Sequence, residues 1–321
     1  KRVYLGTDSG LYRYANKNLV KLDGRYEKGA SSFNGPISNI MELNERYLAI
    51  NTFPAETIYY DRQKDGYVIA PYNIATNNNY ITTEKISDNQ WLWKTSSALY
   101  LYTGTDNTVK ELLNHSKENY IYNFKYNPNK NSLYVATREN LYFTEDLSKP
   151  FKSVFSLKDQ VFPGMFLVDN QLHLISVNQH ITFKNGELIS SRSVDFCTQE
   201  QLERISHFKY ANKYSSLYFH QRTTLNTQIM AISECGVFEY DLAMQQTTAL
   251  QLPDNQVNQP WIKGMSYSTQ LPLILDTNTG VYLLDNSFGI QRLKEQTKAG
   301  RGGTTFSVVK VSDDQYLIAD G

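Results

Sequence analysis

The residues able to do chemistry are few and dispersed. The histidines are His115, His173, His180, His207 and His220. No pair has the HExxH spacing of a zinc site, and no neighbouring Asp or Cys completes a ligand set. His173 alternates with Leu172 and Leu174, so in a strand it points away from their face. Structural or surface roles are expected for all of them, with no cofactor and no metal. Asp8, Asp106, Asp276 and Asp285 fall in turns, where a carboxylate ordinarily bonds its own backbone. A glycosidase needs two carboxylates at a defined separation across the scissile bond, and nothing here selects a pair. The sequence has no Ser-x-Asp-x-Gly-x-Thr-Trp box, no GxSxG and no phosphate-binding glycine loop. No catalytic residue is expected, and the chain is read as a non-enzyme.

Aromatic and arginine side chains are the better binding candidates. Trp261 follows Pro260 at the entry to a strand, where its ring could stack on the apolar face of a sugar. Arg138 lies in a turn equivalent to that of Asp8, and Arg222 lies just beyond Tyr218-Phe219. Trp261, Arg138 and Arg222 are the expected ligand contacts. Trp91 and Trp93 flank Leu92 and share one side of a strand, which suits sheet-to-sheet core better than a ligand platform. Cys197 and Cys235 have neither metal-knuckle nor CxxC spacing. Two separate thiols are one reading, and a single disulfide in an oxidising compartment is the other.

The elements carrying these residues repeat. Val3 to Tyr14, VYLGTDSGLYRY, reads as strand, tight turn and strand. The same shape starts again at Tyr47, Trp91, Leu133 and Leu172, at spacings of 44, 44, 42 and 39 residues. It returns at Leu273 and, 43 residues later, at Tyr316. The 101 residues from Leu172 to Leu273 hold two units. The missing anchor there is Leu217-Tyr218-Phe219, with extra residues between the strands, or Ile229-Met230-Ala231, with extra residues ahead of them. The Leu217 to Met230 stretch is expected to be a period-breaking insertion that forms recognition surface.

An inner strand precedes each anchor: Ile37 to Glu42, Tyr80 to Ile86, Tyr120 to Tyr126, Phe162 to Val168, Ile205 to Tyr210, Ile262 to Tyr267 and Phe306 to Val311. A short outer strand follows each Gly-Leu-Tyr segment. Four short strands in each 40 to 45 residues is the pattern of a propeller blade. The sequence therefore predicts an all-β fold, a seven-bladed β-propeller of four-stranded antiparallel blades. Joining Thr305 to Val311 with the first three strands closes the ring, and an eight-bladed ring is the alternative. Residues 1–321 are expected to form this single propeller, with 315–321 an extra strand or the start of a following domain. Glu200 to Ser206 reads as a short helix, capped by Thr198 with Gln201 as its box partner.

Composition narrows the partners. The 32 Lys and Arg balance the 32 Asp and Glu across 321 residues and are spread rather than clustered. That argues against nucleic acid as a partner. No run approaches the length of a membrane-spanning segment. The chain begins almost within a strand at Val3, which predicts a natural N-terminus further upstream.

Leu5-Gly6-Thr7-Asp8-Ser9-Gly10-Leu11-Tyr12-Arg13-Tyr14, with Asn34-Gly35-Pro36-Ile37-Ser38-Asn39-Ile40 ahead of the next anchor, resembles the two-component regulator propeller repeat. The likeness is recognisable again around Gly236 and Gly280. It is degraded at Ser97-Ala98, Glu139-Asn140 and Gln179-His180. The resemblance implies a seven-bladed extracytoplasmic sensor followed by a β-sandwich, a membrane helix and a cytoplasmic output, such as a histidine kinase, hybrid regulator or diguanylate cyclase. It also implies a periplasmic location within an inner-membrane protein, with membrane contact only through regions outside this chain. The expected function is non-catalytic sensing of a small solute or glycan, passed on by a conformational or homodimerisation change. A protein-interaction scaffold and a carbohydrate-active propeller enzyme are the alternatives.

Overall fold

The computed structural model describes residues 3–7, 9–16, 18–22, 36–52, 56–69, 71–72, 82–115, 119–157, 164–176, 178–201, 217–221, 227–232, 235–242, 244, 246–250, 262–265, 273–277, 280–284, 290–295, 305–312 and 315–320. The chain divides into two compact units, Lys1–Asp159 and Gln160–Asp320.

The first unit holds four sheets, each antiparallel and in simple up-and-down order. Sheet 1 is β1 (Val3–Thr7), β2 (Gly10–Ala15) and β3 (Asn18–Lys21). Sheet 2 is β4 (Ile37–Glu42), β5 (Tyr47–Thr52), β6 (Glu56–Asp61) and β7 (Gly66–Val68). Sheet 3 is β8 (Thr82–Ser87), β9 (Gln90–Lys94), β10 (Ala98–Thr103) and β11 (Thr108–Asn114). Sheet 4 is β12 (Ile121–Asn127), β13 (Ser132–Thr137), β14 (Asn140–Thr144) and β15 (Lys152–Ser156). Strand β1 lies beside β4, and β4 beside β8.

The second unit repeats the plan. Sheet 5 is β16 (Gly164–Val168), β17 (Gln171–Ile175), β18 (Gln179–Lys184) and β19 (Glu187–Ser193). Sheet 6 is β20 (Leu217–Gln221), β21 (Thr227–Ile232), β22 (Gly236–Asp241) and β23 (Gln246–Leu250). Sheet 7 is β24 (Ile262–Met265), β25 (Leu273–Thr277), β26 (Gly280–Leu284) and β27 (Ile290–Glu295). A two-stranded sheet 8, β28 (Thr305–Ser312) and β29 (Gln315–Asp320), follows. Strands β16, β20, β24 and β28 lie in succession, each beside the next.

The strands form because apolar and aromatic residues alternate at a period of two, and they stop where turn chemistry intervenes. Asp169 and Asn170 both take positive φ, 50° and 61°, between Val168 and Gln171. Asn185 and Gly186 do the same between Lys184 and Glu187. Two consecutive left-handed residues match the twist of the flanking strands, and Asn, Asp and Gly adopt that conformation most readily. A different device closes the turns between β1 and β2 and between the second and third strands of sheets 3, 4 and 5. Thr95 Oγ1 donates to the Ala98 carbonyl and accepts the Ala98 amide. Thr137 does the same with Asn140. Thr7 donates to the Gly10 carbonyl and Ser176 to the Gln179 carbonyl. The working atom of these turns is the hydroxyl of Thr7, Thr95, Thr137 or Ser176, whereas Asp8 lies outside the described residues.

Packing follows from alternation along β5, β9 and β13. In β9, Trp91 and Trp93 turn to one face and Leu92 to the other. The two tryptophans meet Leu43, Ala49, Tyr59 and Val68 of the sheet 2 segment. Trp93 stacks on Tyr102 with centroids 4.8 Å apart and donates from Nε1 to the Leu43 carbonyl at 2.9 Å. Leu92, with Leu99, joins Ile121, Phe124, Leu133 and Val135 of sheet 4. Both tryptophans are thus inter-sheet core, as their spacing implied. At Gly6 a Cβ would overlap the Ile37 side chain, so glycine is what lets β1 approach β4.

In sheet 6 an open choice of anchor is settled and one expectation is corrected. Ile229-Met230-Ala231 lies in the second strand, and Leu217–Gln221 is the strand ahead of it, paired from Leu217↔Ile232 to Gln221↔Gln228. Leu217–Gln221 and Thr227–Ile232 are therefore paired strands of the sheet and not a period-breaking insertion. The period could not separate two similar apolar triplets, whereas hydrogen-bond pairing does. The extra residues sit earlier, between β19 and β20. The inner strand expected at Ile205 to Tyr210 lies outside the described residues.

The connection after β19 is anchored at its start. Cys197 and Cys235 form a disulfide with Cα atoms 5.3 Å apart, which settles the two readings of these residues in favour of pairing. Cys235 lies in the turn before β22, so the bond ties sheet 6 to the segment leaving sheet 5. Immediately after Cys197, Thr198 accepts the Gln201 amide on Oγ1, and Gln201 Oε1 accepts the Thr198 amide at 2.7 Å. That is the reciprocal capping box expected from the sequence. Helix is described at Gln199–Gln201, and 202–206 lie outside the described residues.

Candidate functional site

The ligand contacts expected from the sequence separate on inspection. Trp261 and Arg222 lie outside the described residues. Arg138 is described and sits in the exposed turn between β13 and β14. Its amide donates to the Tyr120 carbonyl at 3.1 Å, and the next amide, of Glu139, donates to Asn119 Oδ1. The turn is thereby fixed against the segment that enters β12. The very next carbonyl along that segment, of Ile121, accepts a hydrogen bond from Lys94 Nζ at 3.3 Å. Arg138 and Lys94 therefore mark one locality, the turn-bearing end of the seam between sheets 3 and 4.

Lys94 is there because of its register. It is the last residue of Gln90–Lys94 and shares the face of Leu92, turned toward sheet 4. The apolar residues around it on that face leave its ammonium poorly hydrated, and burial pushes its pKa down to about 8. Thr82 lies directly opposite it on β8. Directly opposed residues on one face have Cβ atoms within about 5.5 Å. The Thr82 Oγ1 is buried without a hydrogen-bond partner among the described residues. Two residues along β8, on the same face, burial raises the pKa of Glu84, and Lys125 of β12 offsets part of that. The Glu84 carboxyl and the Lys94 amine are therefore both pushed toward their neutral forms.

His115 completes the seam. Its amide donates to the Ser97 carbonyl, just as the Ile121 amide donates to Ser96. These bonds hold both connecting segments against the β9–β10 turn. The imidazole lies against Tyr142 of sheet 4, with centroids 4.9 Å apart. Its Nε2 is buried and has no partner among the described residues, and burial lowers its pKa although Glu139 acts in the opposite direction. Thr82 on the first strand, Lys94 on the second and His115 just past the fourth thus share one end of sheet 3, and the Thr82 hydroxyl and the His115 Nε2 are buried there without partners among the described residues, where most interiors leave no polar atom unmatched. Perturbed ionisable groups collected in one place are a mark of functional sites. Lys94 can donate to a polar solute there, with the facing Thr82 hydroxyl free to donate or accept. Sequence reasoning missed it because each residue is unremarkable alone. The available signal was Gln-Trp-Leu-Trp-Lys, in which alternation puts a lysine on the same buried face as Leu92.

A second polar group in the other unit is fully bonded. His173 Nδ1 and His180 Nε2 are 2.9 Å apart, and His180 Nδ1 is 2.8 Å from the Tyr240 hydroxyl. Burial lowers both histidines to about 4, and it raises the Tyr240 hydroxyl. The two rings are neutral at neutral pH, and one proton per ring satisfies the chain from Tyr240 to His173. These side chains lie beside Phe166, Phe196 and the disulfide in one apolar cluster, the structural role expected of them. Among the described residues, no group of three or more His, Cys, Asp or Glu side chains is placed to hold a metal ion.

Repeated four-stranded antiparallel sheets of this kind define the β-propeller class. Solved structures share the fold. The chain aligns over 99% of its length with the extracellular domain of what is described as a hybrid two-component system of B. thetaiotaomicron, at 12% identity and a TM-score of 0.55, covering 41% of that chain. A second structure of that domain, described as belonging to a one-component system, gives 12% identity, a TM-score of 0.52 and 36% coverage of that chain. The present chain thus spans less than half of those extracellular domains. YCF48 bound to a D1 peptide aligns with 88% of each chain at 11% identity and a TM-score of 0.56. At these identities the likeness is one of fold. No family model matches the sequence, and no curated protein matches it. No helix among the described residues is long and apolar enough to cross a membrane.

Proposed function

We propose that this chain is a ligand-sensing input domain of a membrane-bound bacterial signalling protein, located outside the cytoplasm. It binds a small polar solute or oligosaccharide without turning it over and passes on a conformational or dimerisation change. In this reading the sheets form one seven-bladed ring, with the blade that closes it drawn from both ends of the chain. The observation that carries the reading is the end of sheet 3 where Lys94 has the Ile121 carbonyl as its acceptor while Thr82 Oγ1 and His115 Nε2 are buried without partners among the described residues. Its support is the shared fold with extracellular domains of bacterial signalling systems and the resemblance of Leu5 to Tyr14 to the two-component regulator repeat. A peptide-binding scaffold is the second reading, favoured by the peptide carried by YCF48 and by the exposed Leu188 and Ile189 on β19.

A thermal-shift screen of the full chain against neutral and acidic mono- and oligosaccharides tests it. A solute that binds only the folded state raises the melting temperature by linkage. The expected result is a saturable stabiliser whose effect is lost in both Lys94→Met and Thr82→Val. A stabiliser that acts equally on both variants would place binding elsewhere and overturn the assignment of the seam. Release of a chemically altered sugar would overturn the non-catalytic reading.

A further inference from the structure

A separate site opens between sheets 1 and 2, within the first unit. A half-open cavity of about 150 Å³ is lined by Arg13, Lys21, Leu22, Tyr60, Asp65 and Tyr67 among others. Arg13 comes from β2, Lys21 from the end of β3, Tyr60 from β6, and Asp65 from the β6–β7 turn. Asp65 holds a left-handed conformation in that turn, φ 54°, and its half-exposed carboxylate lies at the cavity. One carboxylate oxygen, Oδ1, accepts both the Tyr60 hydroxyl at 2.5 Å and Arg13 Nη1 at 2.8 Å. The Tyr67 hydroxyl donates to the Leu22 carbonyl, which fixes the opposite wall.

We propose that this cavity is a binding site for a small organic carboxylate of three or four carbons. Size sets the first limit, since a cavity of about 150 Å³ holds roughly six non-hydrogen atoms, as benzene fills one. Charge sets the second. Arg13 and Lys21 outnumber Asp65, and Asp65 occupies only Nη1 of the guanidinium. The Nη2 and Nε donors of Arg13 have no other partner among the described residues, and the planar fork they form matches a carboxylate. Chemistry sets the third. Leu22 and the rings of Tyr60 and Tyr67 give an apolar wall beside the cationic end, suited to a short alkyl chain. Asp65 acts as a positioning residue, holding Arg13 in place through the oxygen it shares with Tyr60. Behind that wall the Tyr4 ring meets Tyr60 edge-on at 6.0 Å, and the buried Tyr4 hydroxyl has no partner among the described residues. The Tyr4 residue is directly opposite Arg13 in register, so one more unused polar atom lies against this corner of the fold.

Titration calorimetry of the full chain with propionate and with butyrate, at constant ionic strength, tests the proposal. Propionamide and inorganic phosphate are the comparison solutes. Saturable binding of a carboxylate is expected, with none of propionamide and weaker binding of phosphate. Arg13→Gln and Lys21→Gln should each weaken it about tenfold or more, the effect of losing a charge-assisted hydrogen bond. Lys21 is exposed and outside the Arg13–Asp65 pair, so Lys21→Gln decides the matter if Arg13→Gln fails to fold. Lys94→Met should leave this binding unchanged, which keeps the site distinct from the seam. No saturation, an equal response to propionamide or phosphate, or undiminished binding by Lys21→Gln would overturn the proposal.

Discussion

The two faces of sheet 3 are built from the same strands and end in opposite conditions. Toward sheet 2, Trp91, Trp93, Tyr100 and Tyr102 form an aromatic layer with little left unbonded. The Trp93 indole reaches the Leu43 carbonyl, and Tyr72 receives a bond from Asn44 and gives one to Asn107. The unpartnered atom there is the neutral Trp91 Nε1, beneath a lysine 5.4 Å from its ring. Toward sheet 4, Leu92 and Leu99 make a comparable apolar layer, yet its end carries Thr82, Lys94 and His115. One alternating pentapeptide produces both outcomes. The difference teaches that burial by itself does not mark a site; burial of polar groups without reciprocal partners does.

The largest effect is expected on the aromatic face. Trp93→Ala should cost about 3–5 kcal/mol, the usual range for emptying a buried aromatic position, and be read as a lower denaturation midpoint. Less than about 1 kcal/mol would mean the face is not the rigid half of the comparison. Next comes acid. The folded-state values of His173 and His180, about 4, lie below the unfolded value near 6.5, so the unfolded chain binds more protons between them. Stability is then full above about pH 6.5 and falls as pH drops toward 4, by up to roughly 3 kcal/mol per ring. This pair is buried but bonded; a flat profile over that window would show that its neutrality is not imposed by the fold.

The other face makes two smaller predictions. Lys94 has a folded value of about 8 against about 10.4 unfolded, so stability should rise as pH climbs from 8 toward 10. The gain should be roughly 1–2 kcal/mol after allowance for the solvent that still reaches the side chain. Lys94→Met should abolish that slope while raising neutral-pH stability by up to about 1 kcal/mol, because no ammonium remains to be desolvated. A variant destabilised by more than that would show the amine to be structurally satisfied, and the contrast between the two faces would fail. Smallest is Thr82→Val, expected to change unliganded stability by less than about 0.5 kcal/mol, since the hydroxyl has no partner to lose.

Much of the fold was legible because it is periodic. The strand Ile37–Glu42 falls where alternation predicts it, and outside sheet 6 the described strands fall within a few residues of their expected places. Sheet 6 was not legible, because two apolar triplets twelve residues apart satisfy the same period. Nor was the Cys197–Cys235 bond, since a separation of 38 residues carries no information about proximity. The His173–His180 contact is diagonal across a hairpin, with Ile175 opposite His180 and His173 opposite Thr182. Recognising it requires the turn length, and that is fixed by Ser176 and the Gln179 carbonyl. The seam was hidden for a related reason. Alternation puts Lys94 on a buried face, but only the packing of a second sheet shows that Thr82 opposite it, and His115 at the same end of the sheet, are left without partners among the described residues.

The turn hydroxyls explain how the repeat has drifted without losing its shape. Glycine follows the turn at Gly10 and Gly236, where φ is 128° and 125°. Ala98, Asn140 and Gln179 occupy the equivalent place in other repeats, and the hairpins there stand without it. In two of them one threonine oxygen both gives to and takes from the same downstream residue, so identity at that downstream position is unconstrained once the hydroxyl is kept. Duplicated units can therefore diverge until their common ancestry fades from the sequence, while a single inherited atom keeps each hairpin in step.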